Sequence, residues 1–254
     1  MSEKKRSVEY AIKRMQAQRN VADHIDNTLY SAARRIVELS GEFIGTGGEL
    51  LGEEVLTSLA RNITAESESI ISAWVERYCR ASIRVLDSEN DAITGLLDNP
   101  RFGRTFAERN ADYLSNFAED VVRMIKAGAA LGYNNDQILS AVRTSYKDPY
   151  VNSVITKANA KGIFIEIPSY GRGKMHAAYD NILRNAQDTI AYAWGVQEGE
   201  DAQGKGAVGF KVFRGSSYPC AVCDDECGYI HDMQDQKPPY HNRCVCRVEY
   251  IYKK

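Results

Sequence analysis

The stretch IDNTLYSAARRIVELSGEF, residues 25–43, carries the pattern that decides the fold of the first two-thirds of the chain. Its apolar residues recur at spacings of four, three, four, three and four: Ile25, Leu29, Ala32, Ile36, Leu39 and Phe43. This recurrence places them on one face of an α-helix, because a helix completes a turn about every 3.6 residues. The stretch therefore predicts a long amphipathic helix, which we expect to begin well upstream of Ile25.

Helical spacing continues downstream of this stretch. After glycines at positions 41, 45, 47 and 48, a second long helix is predicted by Leu56, Leu59, Ile63, Ile70, Trp74, Tyr78, Ala81 and Val85. We interpret Trp74 and Cys79 as core packing, the common fate of aromatic and free-thiol residues at helical spacing. The first two-thirds of the chain thus predicts a bundle of long helices.

Turn signals mark two further helices. Asn99-Pro100 breaks the chain, and the apolar positions from Tyr113 to Met124 then predict a third helix that closes at Gly132. Asn134-Asn135-Asp136 can cap a short helix that ends before Asp148-Pro149. The bundle accordingly extends to about residue 160.

A change of pattern near residue 161 predicts a domain boundary. Ile163–Ile167 forms a brief β-like run, which Pro168 and the glycines of SYGRGK stop, and a further helix is predicted from about Lys174 to Trp194. Glycines at 199, 204, 206 and 209 then connect to the β-like stretches GFKVF and CRVEYIY. We predict a helical N-terminal domain over 1–160 and a C-terminal domain over 161–254. The fold class is mostly α, a long-helix bundle followed by a small α+β zinc-binding module with short antiparallel strands.

Composition excludes several function classes. The chain has 254 residues, with 32 Lys and Arg against 34 Asp and Glu, so the net charge of -2 gives no overall positive field for nucleic acid or membrane. No apolar run approaches the roughly 20 residues that span a bilayer, and the segment MSEKKRSVEY is charged where a signal peptide is apolar. We expect a soluble protein made in the cytoplasm, where thiols stay reduced.

Five of the six cysteines fall between 220 and 246 and predict a metal site. Cys220 and Cys223 form a C-x2-C pair, a spacing that lets two thiolates at a tight turn approach one tetrahedral ion. His241, Cys244 and Cys246 follow about twenty residues later, after Pro238-Pro239, and complete the pattern of a zinc knuckle over 210–252. On a strand, Cys244 and Cys246 point to the same face, so either or both can reach the metal.

Other assignments of this cluster stay open. Cys227 and His231 extend the first pair to C-x2-C-x3-C-x3-H, which offers four ligands within twelve residues. Two alternatives to metal binding are that the thiols are reduced and metal-free, or that they are paired as disulfides in an oxidising compartment. Coordination by four protein ligands predicts a structural site without a catalytic residue, because catalysis needs an open position on the metal. We interpret the acids Asp224–Glu226 as a solvated face rather than general bases.

The order of these motifs resembles a known family. A helix, a glycine-rich link, a strand, the CxxC of YPCAVC and then PPYHNRCVCRVEYIY are similar to the C-terminal part of the phage Mu F-like head morphogenesis proteins. The resemblance covers roughly the last hundred residues and includes Cys220, Cys223, His241, Cys244 and Cys246. Cys227 is an addition to the family pattern, and the N-terminal bundle resembles nothing specific.

The resemblance implies a role in assembling a tailed bacteriophage or prophage. It implies a minor capsid protein, present in few copies in the virion at the capsid interior or portal vertex, which acts with the portal in head assembly, with a role in DNA delivery left open. The ligand spacing itself predicts that the zinc ion is structural and that the protein is not an enzyme. The implied partners are the phage portal and capsid proteins, with contact to packaged DNA left open, and neither a membrane nor a small-molecule substrate is expected. The protein is expected to be synthesised in the bacterial host cytoplasm.

Three rival functions are compatible with parts of the sequence. A zinc-stabilised nuclease would use His231 or His241 as a base, although His241 is already assigned to the metal. The run VFRG around Arg214 is similar to the arginine strand of ADP-ribosyltransferases, but their Ser-Thr-Ser strand and Glu-x-Glu pair are missing. A nucleic-acid-binding role would use the cations at Lys4, Lys5, Arg6, Lys13, Arg14 and Arg19, which have no accompanying aromatic platform.

Overall fold

A computed structural model describes residues 3–101, 103–170, 174–241 and 243–253. The chain is mostly helical, with a small antiparallel sheet near the C-terminus. The helices are α1 Glu3–Ser40, α2 Glu53–Ala65, α3 Ser67–Leu86, α4 Phe106–Ala130, α5 Asn135–Ser145, α6 Val154–Ala160, α7 Ala178–Gly204 and α8 Ala221–Asp225. The strands are β1 Ala207–Phe213, β2 Ile230–Asp232 and β3 Arg247–Tyr252. The predicted fold class is therefore confirmed.

Helix α1 follows the pattern from which it was predicted. Ile25, Leu29, Ala32 and Ile36 are buried along one face, and the helix does begin far upstream, at Glu3. The predicted face is wrong at its end, because Leu39 is 40% exposed. The helix ends one residue later at Ser40, and a 3₁₀ turn, Gly41–Phe43, carries the chain away from the helix axis.

The second predicted helix is two helices, and the buried face of the latter part lies one residue further on. The helix is interrupted at Glu66, between α2 and α3. This interruption rotates the buried face of α3 relative to the face that one continuous helix would bury. The predicted face of α3 held Ile70, Trp74, Tyr78, Ala81 and Val85, whereas the buried positions are Ile71, Val75, Cys79, Ser82 and Leu86. Cys79 is core as predicted, while Trp74 is half-buried and stacks with Tyr78 at 6.3 Å.

The capping signals between α4 and α5 are confirmed. Gly132 has φ +76°, and its N–H bonds to the carbonyl of Ala129 just beyond the end of α4. Asn134 caps α5, because its side-chain oxygen accepts from the Gln137 backbone N–H at 2.9 Å. The Gln137 side-chain oxygen in turn accepts from the Asn134 backbone N–H at 2.9 Å.

Asp120, a buried carboxylate on α4, organises the segment that follows α5. It accepts hydrogen bonds from Tyr150 at 2.5 Å, from the hydroxyl of Tyr170, and from the backbone N–H of Ala178 at 3.0 Å. Arg123, one turn further along α4, lies 3.3 Å away. Burial raises the pKa of Asp120, and these donors oppose the shift.

The predicted β-like run Ile163–Ile167 is wrong as a strand, because these residues form no ladder. Ile165 is buried and bonds through both its N–H and its carbonyl to the side chain of Asn159, at 2.7 and 3.2 Å. This side chain supplies the backbone partner that a neighbouring strand would otherwise provide. Both glycines expected to end the run, Gly171 and Gly173, lie outside the described residues.

The three strands form one antiparallel sheet in the order β2-β1-β3. Phe210 of β1 pairs with His231 of β2 and with Tyr250 of β3, so the central strand brings both neighbours into register. Phe210 and Val212 are buried in a small core with Val248 and Tyr250, and this core includes three of the cysteines. The predicted strands GFKVF and CRVEYIY are confirmed, and β2 was not predicted.

Contacts divide the chain into two compact units. One unit comprises the described residues up to Asp23, together with Ala73–Phe106 and the chain from Arg184 onward, whereas the other comprises His24–Ser72 and Ala107–Leu183. The division into domains 1–160 and 161–254 stays a prediction, because contacts describe packing and not autonomous folding. Within the described residues, every helix falls short of the length and apolarity that a membrane crossing requires.

Candidate metal centre

The first pair of predicted ligands lies on a short helix. Cys220 is the N-cap residue of α8, and Cys223 lies within its first turn, so the two thiols lie on the same side of the turn. Cys223 is 2% exposed, whereas Cys220 is half-buried. The pair therefore has one sulfur in the small core and the other toward solvent.

The second group closes onto this pair from the segment that leads into β3. His241 Nε2 lies 3.3 Å from Cys220 Sγ and 3.0 Å from Cys223 Sγ, while Cys244 Sγ lies 3.9 Å from Cys223 Sγ. Donor atoms lie within 4.8 Å of one another in two triplets that share Cys223: Cys220–Cys223–His241 and Cys223–Cys244–Cys246. All five residues predicted from the sequence are thus brought together, and the cluster could hold a metal ion.

The donor distances fit a tetrahedral ion. With metal–sulfur bonds of about 2.3 Å and metal–nitrogen bonds of about 2.0 Å, tetrahedral edges are about 3.8 Å between two sulfurs and about 3.5 Å between sulfur and nitrogen. The measured separations of 3.9, 3.3 and 3.0 Å lie close to these edges. Small adjustments of side-chain torsions would complete the coordination.

The buried thiols change the pKa values of one another. A hydrogen bond with Cys246 lowers the pKa of Cys244, and the same contact raises the pKa of Cys246. Burial raises the pKa of Cys223. One thiolate in the cluster is therefore favoured and further ionisation is opposed by like charge, so a bound divalent cation would relieve this opposition.

Backbone groups support the sulfurs. Cys244 receives backbone hydrogen bonds from Tyr240 and Cys246, and Cys246 receives one from Gly215. Gly215 has no substitute here, because an added Cβ would lie 1.8 Å from the Val245 carbonyl oxygen. Such N–H groups stabilise negative charge on sulfur, the arrangement that a thiolate-rich metal site needs.

Two arginine side chains form hydrogen bonds to the segments that carry the cysteines. Arg214, at the end of β1, bonds to the Asp224 carboxylate on α8 and to the Tyr218 carbonyl, and its pKa is raised first by Asp224. Arg14 on α1 donates to the Cys246 carbonyl at 2.9 Å. Both ligand-bearing segments are therefore tied to neighbouring elements through charged hydrogen bonds.

The contact of Arg14 with Cys246 could not be predicted from the sequence, because it joins residues 232 positions apart. Its cationic neighbours in the sequence suggested a nucleic-acid contact, yet Arg14 is only 3% exposed. Only the pairing of an arginine with an apolar helix face, as at Tyr10 and Ala17, could have indicated that this cation points inward.

Cys227 and His231, the basis of the second ligand assignment, do not belong to either donor triplet among the described residues. His231 is 2% exposed, and its ring stacks on Phe210 with centroids 4.8 Å apart. Its Nε2 lies 2.8 Å from the Glu226 carbonyl oxygen, so this nitrogen carries a proton and donates it. That donation leaves Nε2 without a lone pair for a metal.

Comparison of the chain with protein-family models, with curated proteins and with solved structures found no match in any of the three.

Proposed function

We propose that the cysteine and histidine cluster binds one structural zinc ion. The carrying observation is the convergence of five soft donors from two separate segments onto a space of tetrahedral dimensions. Thiolate and imidazole ligands in this number favour zinc over magnesium or calcium, which prefer oxygen donors. The ion would link α8 to the segment before β3 and so close the small core.

Three of the proposed ligands are Cys220, Cys223 and His241, and the fourth is Cys244 or Cys246. The 3.9 Å separation from Cys223 favours Cys244, with Cys246 as its hydrogen-bonding neighbour. Replacing zinc with cobalt(II) tests this choice, since the charge-transfer absorption grows with the number of thiolates. Cys244→Ser should lower that absorption and the affinity, whereas Cys246→Ser should retain tetrahedral coordination. The opposite result would assign Cys246.

We further propose that the protein acts in head morphogenesis of a tailed bacteriophage or prophage, as a minor capsid protein that works with the portal. Support comes from the resemblance of the YPCAVC and PPYHNRCVC motifs to the Mu F-like family and from the structural character proposed for the zinc site. Long amphipathic helices with exposed apolar residues, such as Val8, Ile12 and Met15 on α1, offer faces for a protein partner. The proposal includes no catalytic activity.

Quantitative mass spectrometry of purified procapsids and virions tests this role. We expect the protein in few copies per particle and recovered with the portal after cross-linking. A Cys223→Ser variant should lower its incorporation if the zinc module is needed for docking. Absence of the protein from both particles, or turnover of nucleic acid or NAD by the purified zinc-loaded chain, would overturn the proposal.

A further inference from the structure

A cavity of 480 Å³ lies between one face of α7 and the loop formed by residues 233–239. It extends along the helix from Tyr192 to Gln203, about 16 Å by the helical rise. Its volume falls within the range of pockets that hold small molecules, roughly 300–1,000 Å³. None of the proposed metal ligands lines it.

Two glycines on α7 make room for the loop. A Cβ at Gly195 would lie 2.6 Å from the Pro238 carbonyl oxygen, and one at Gly199 would lie 3.2 Å from the side chain of Lys237. The loop backbone and the stem of Lys237 therefore rest directly on the helix.

Lys237 is held in a defined position. Its Nζ donates to the Met233 carbonyl at 2.6 Å and lies 5.1 Å from the centre of the Phe210 ring. Burial lowers its pKa, although Glu200 and Asp235 oppose this shift. Within the described residues, the ammonium bonds to a neutral carbonyl and makes no ion pair. A partly desolvated cation of this kind gains from an added anion.

A second cation lies toward the other end of the cavity. The Arg101 guanidinium lies 4.3 Å from the centre of the Tyr192 ring, and burial lowers its pKa. Polar side chains in the wall include the amides of Gln203, Gln234 and Gln236. Gln203 lies beyond Gly199, the α7 residue that faces Lys237, so its amide can bond to the phosphate or sugar of a ligand held at Lys237.

We propose that this cavity binds a nucleotide, with its phosphate on Lys237 and its base toward the stacked pair of Arg101 and Tyr192. The ammonium supplies a point charge for the phosphate, and stacked arginine and aromatic groups are common platforms for bases. A simple carboxylate would pair with Lys237 but leave the end of the cavity at Arg101 and Tyr192 unoccupied. The proposal is independent of the zinc site and of the role in head assembly.

Calorimetric titration of the full zinc-loaded chain tests the proposal with four probes: deoxyadenosine monophosphate, deoxyadenosine, inorganic phosphate and citrate. We expect the nucleotide to bind at least about tenfold more tightly than the other three, because it alone engages both ends. Binding of citrate or phosphate as tightly as the nucleotide would overturn the nucleotide assignment. The site itself would be overturned if no probe released or absorbed heat and none changed the NMR chemical shifts of the residues that line the cavity.

Two variants that change the charge of the cavity wall in opposite directions test whether the nucleotide binds there. Lys237→Gln should weaken nucleotide binding by about tenfold or more, since it removes the charged partner of the phosphate. Glu200→Gln, at an exposed position of the same wall, should strengthen binding by about two- to fivefold, since it removes a repelling carboxylate. Near-UV circular dichroism and zinc content confirm that each variant is folded. Equal affinity of both variants and the native chain would show that the nucleotide binds elsewhere.

Discussion

Asp120 and the cysteine cluster both hold polar groups in a protein interior, but they satisfy those groups differently. The Asp120 carboxylate receives bonds from two tyrosine hydroxyls and a backbone N–H, with Arg123 close by, so its charge is balanced by the protein. The buried thiols of Cys223, Cys244 and Cys246 face chiefly one another. The charge of Asp120 is balanced by protein groups alone, whereas the cysteine cluster could hold a metal ion that would balance its thiolates.

Removing the shared ligand should have the largest effect. Cys223→Ser is expected to abolish metal binding and the order of the sheet β1–β3, a loss on the order of 10 kcal/mol of binding free energy. Elemental analysis and hydrogen exchange of residues 207–252 measure these changes. Exchange in α4 and α5 should be unaffected.

Cys227→Ser is the matched control for this experiment, because Cys227 is a neighbouring thiol outside both donor triplets. It should retain one metal per chain. Retention of metal by Cys223→Ser, or its loss from Cys227→Ser, would contradict the proposed ligand set.

Removing the Asp120 carboxylate should cause a smaller loss of free energy than removing Cys223. Asp120→Ala leaves the hydroxyls of Tyr150 and Tyr170 and the N–H of Ala178 without their acceptor, which predicts a loss of about 3 kcal/mol in the free energy of unfolding. Tyr150→Phe removes one donor and should cost about 1 kcal/mol. Urea denaturation measures both, and metal content should stay unchanged. A larger loss for Tyr150→Phe than for Asp120→Ala would place the stabilisation outside the carboxylate.

Glu198 on α7 is a half-buried carboxyl group for which no hydrogen-bond donor is found among the described residues, in contrast to Asp120. Burial raises its pKa to about 8 from an ordinary value of 4.5, and Arg14 and Arg6 oppose the shift. Glu3 and Asp201 face the same region and raise the pKa further. The folded chain therefore keeps a proton at Glu198 that the unfolded chain loses above pH 4.5.

The free energy of unfolding should accordingly fall as pH rises from about 4.5 to about 8, and level off above it. Between pH 5 and 7 the expected loss is about 2 kcal/mol, from a limit of about 1.4 kcal/mol per pH unit. Glu198→Gln should remove this slope, as measured by denaturation at a series of pH values. An unchanged slope in the variant would assign the dependence to other groups.

The smallest expected effect concerns a local signal. Asn134→Ala removes the capping box of α5 and should cost about 1 kcal/mol, whereas Ser140→Ala at an exposed position of the same helix should be nearly neutral. Thermal denaturation compares the two. Equal effects would mean that packing of Ile138 and Val142, rather than the cap, fixes the start of this helix.

Features that depend on nearby residues could be predicted from the sequence. The cap at Asn134, the turn at Gly132, the buried face at Ile25 and Leu29, and the strands around Phe210 all depend on residues a few positions apart. The phase of α3 could not be predicted, because it depends on a break at Glu66 that no proline or glycine marks.

Tertiary contacts explain the other failures. Ile163–Ile167 has a strand-like composition, but Asn159 provides its backbone partner, so no ladder forms. In the metal centre, the spacing of cysteines and histidine predicted which five residues meet. It could not show that His231 bonds to the Glu226 carbonyl or that Arg14 approaches from α1, since both contacts depend on the folded chain.

The contact between Arg14 and Cys246 also has a consequence for the order in which the protein can form during translation. The unit that contains it needs the described residues before Asp23 and those after Arg184, so it cannot close until the ribosome has synthesised β3. All residues of the other unit, His24–Ser72 with Ala107–Leu183, are synthesised earlier than β3. The Arg14 guanidinium therefore has no Cys246 carbonyl to bond until a further 232 residues have been added.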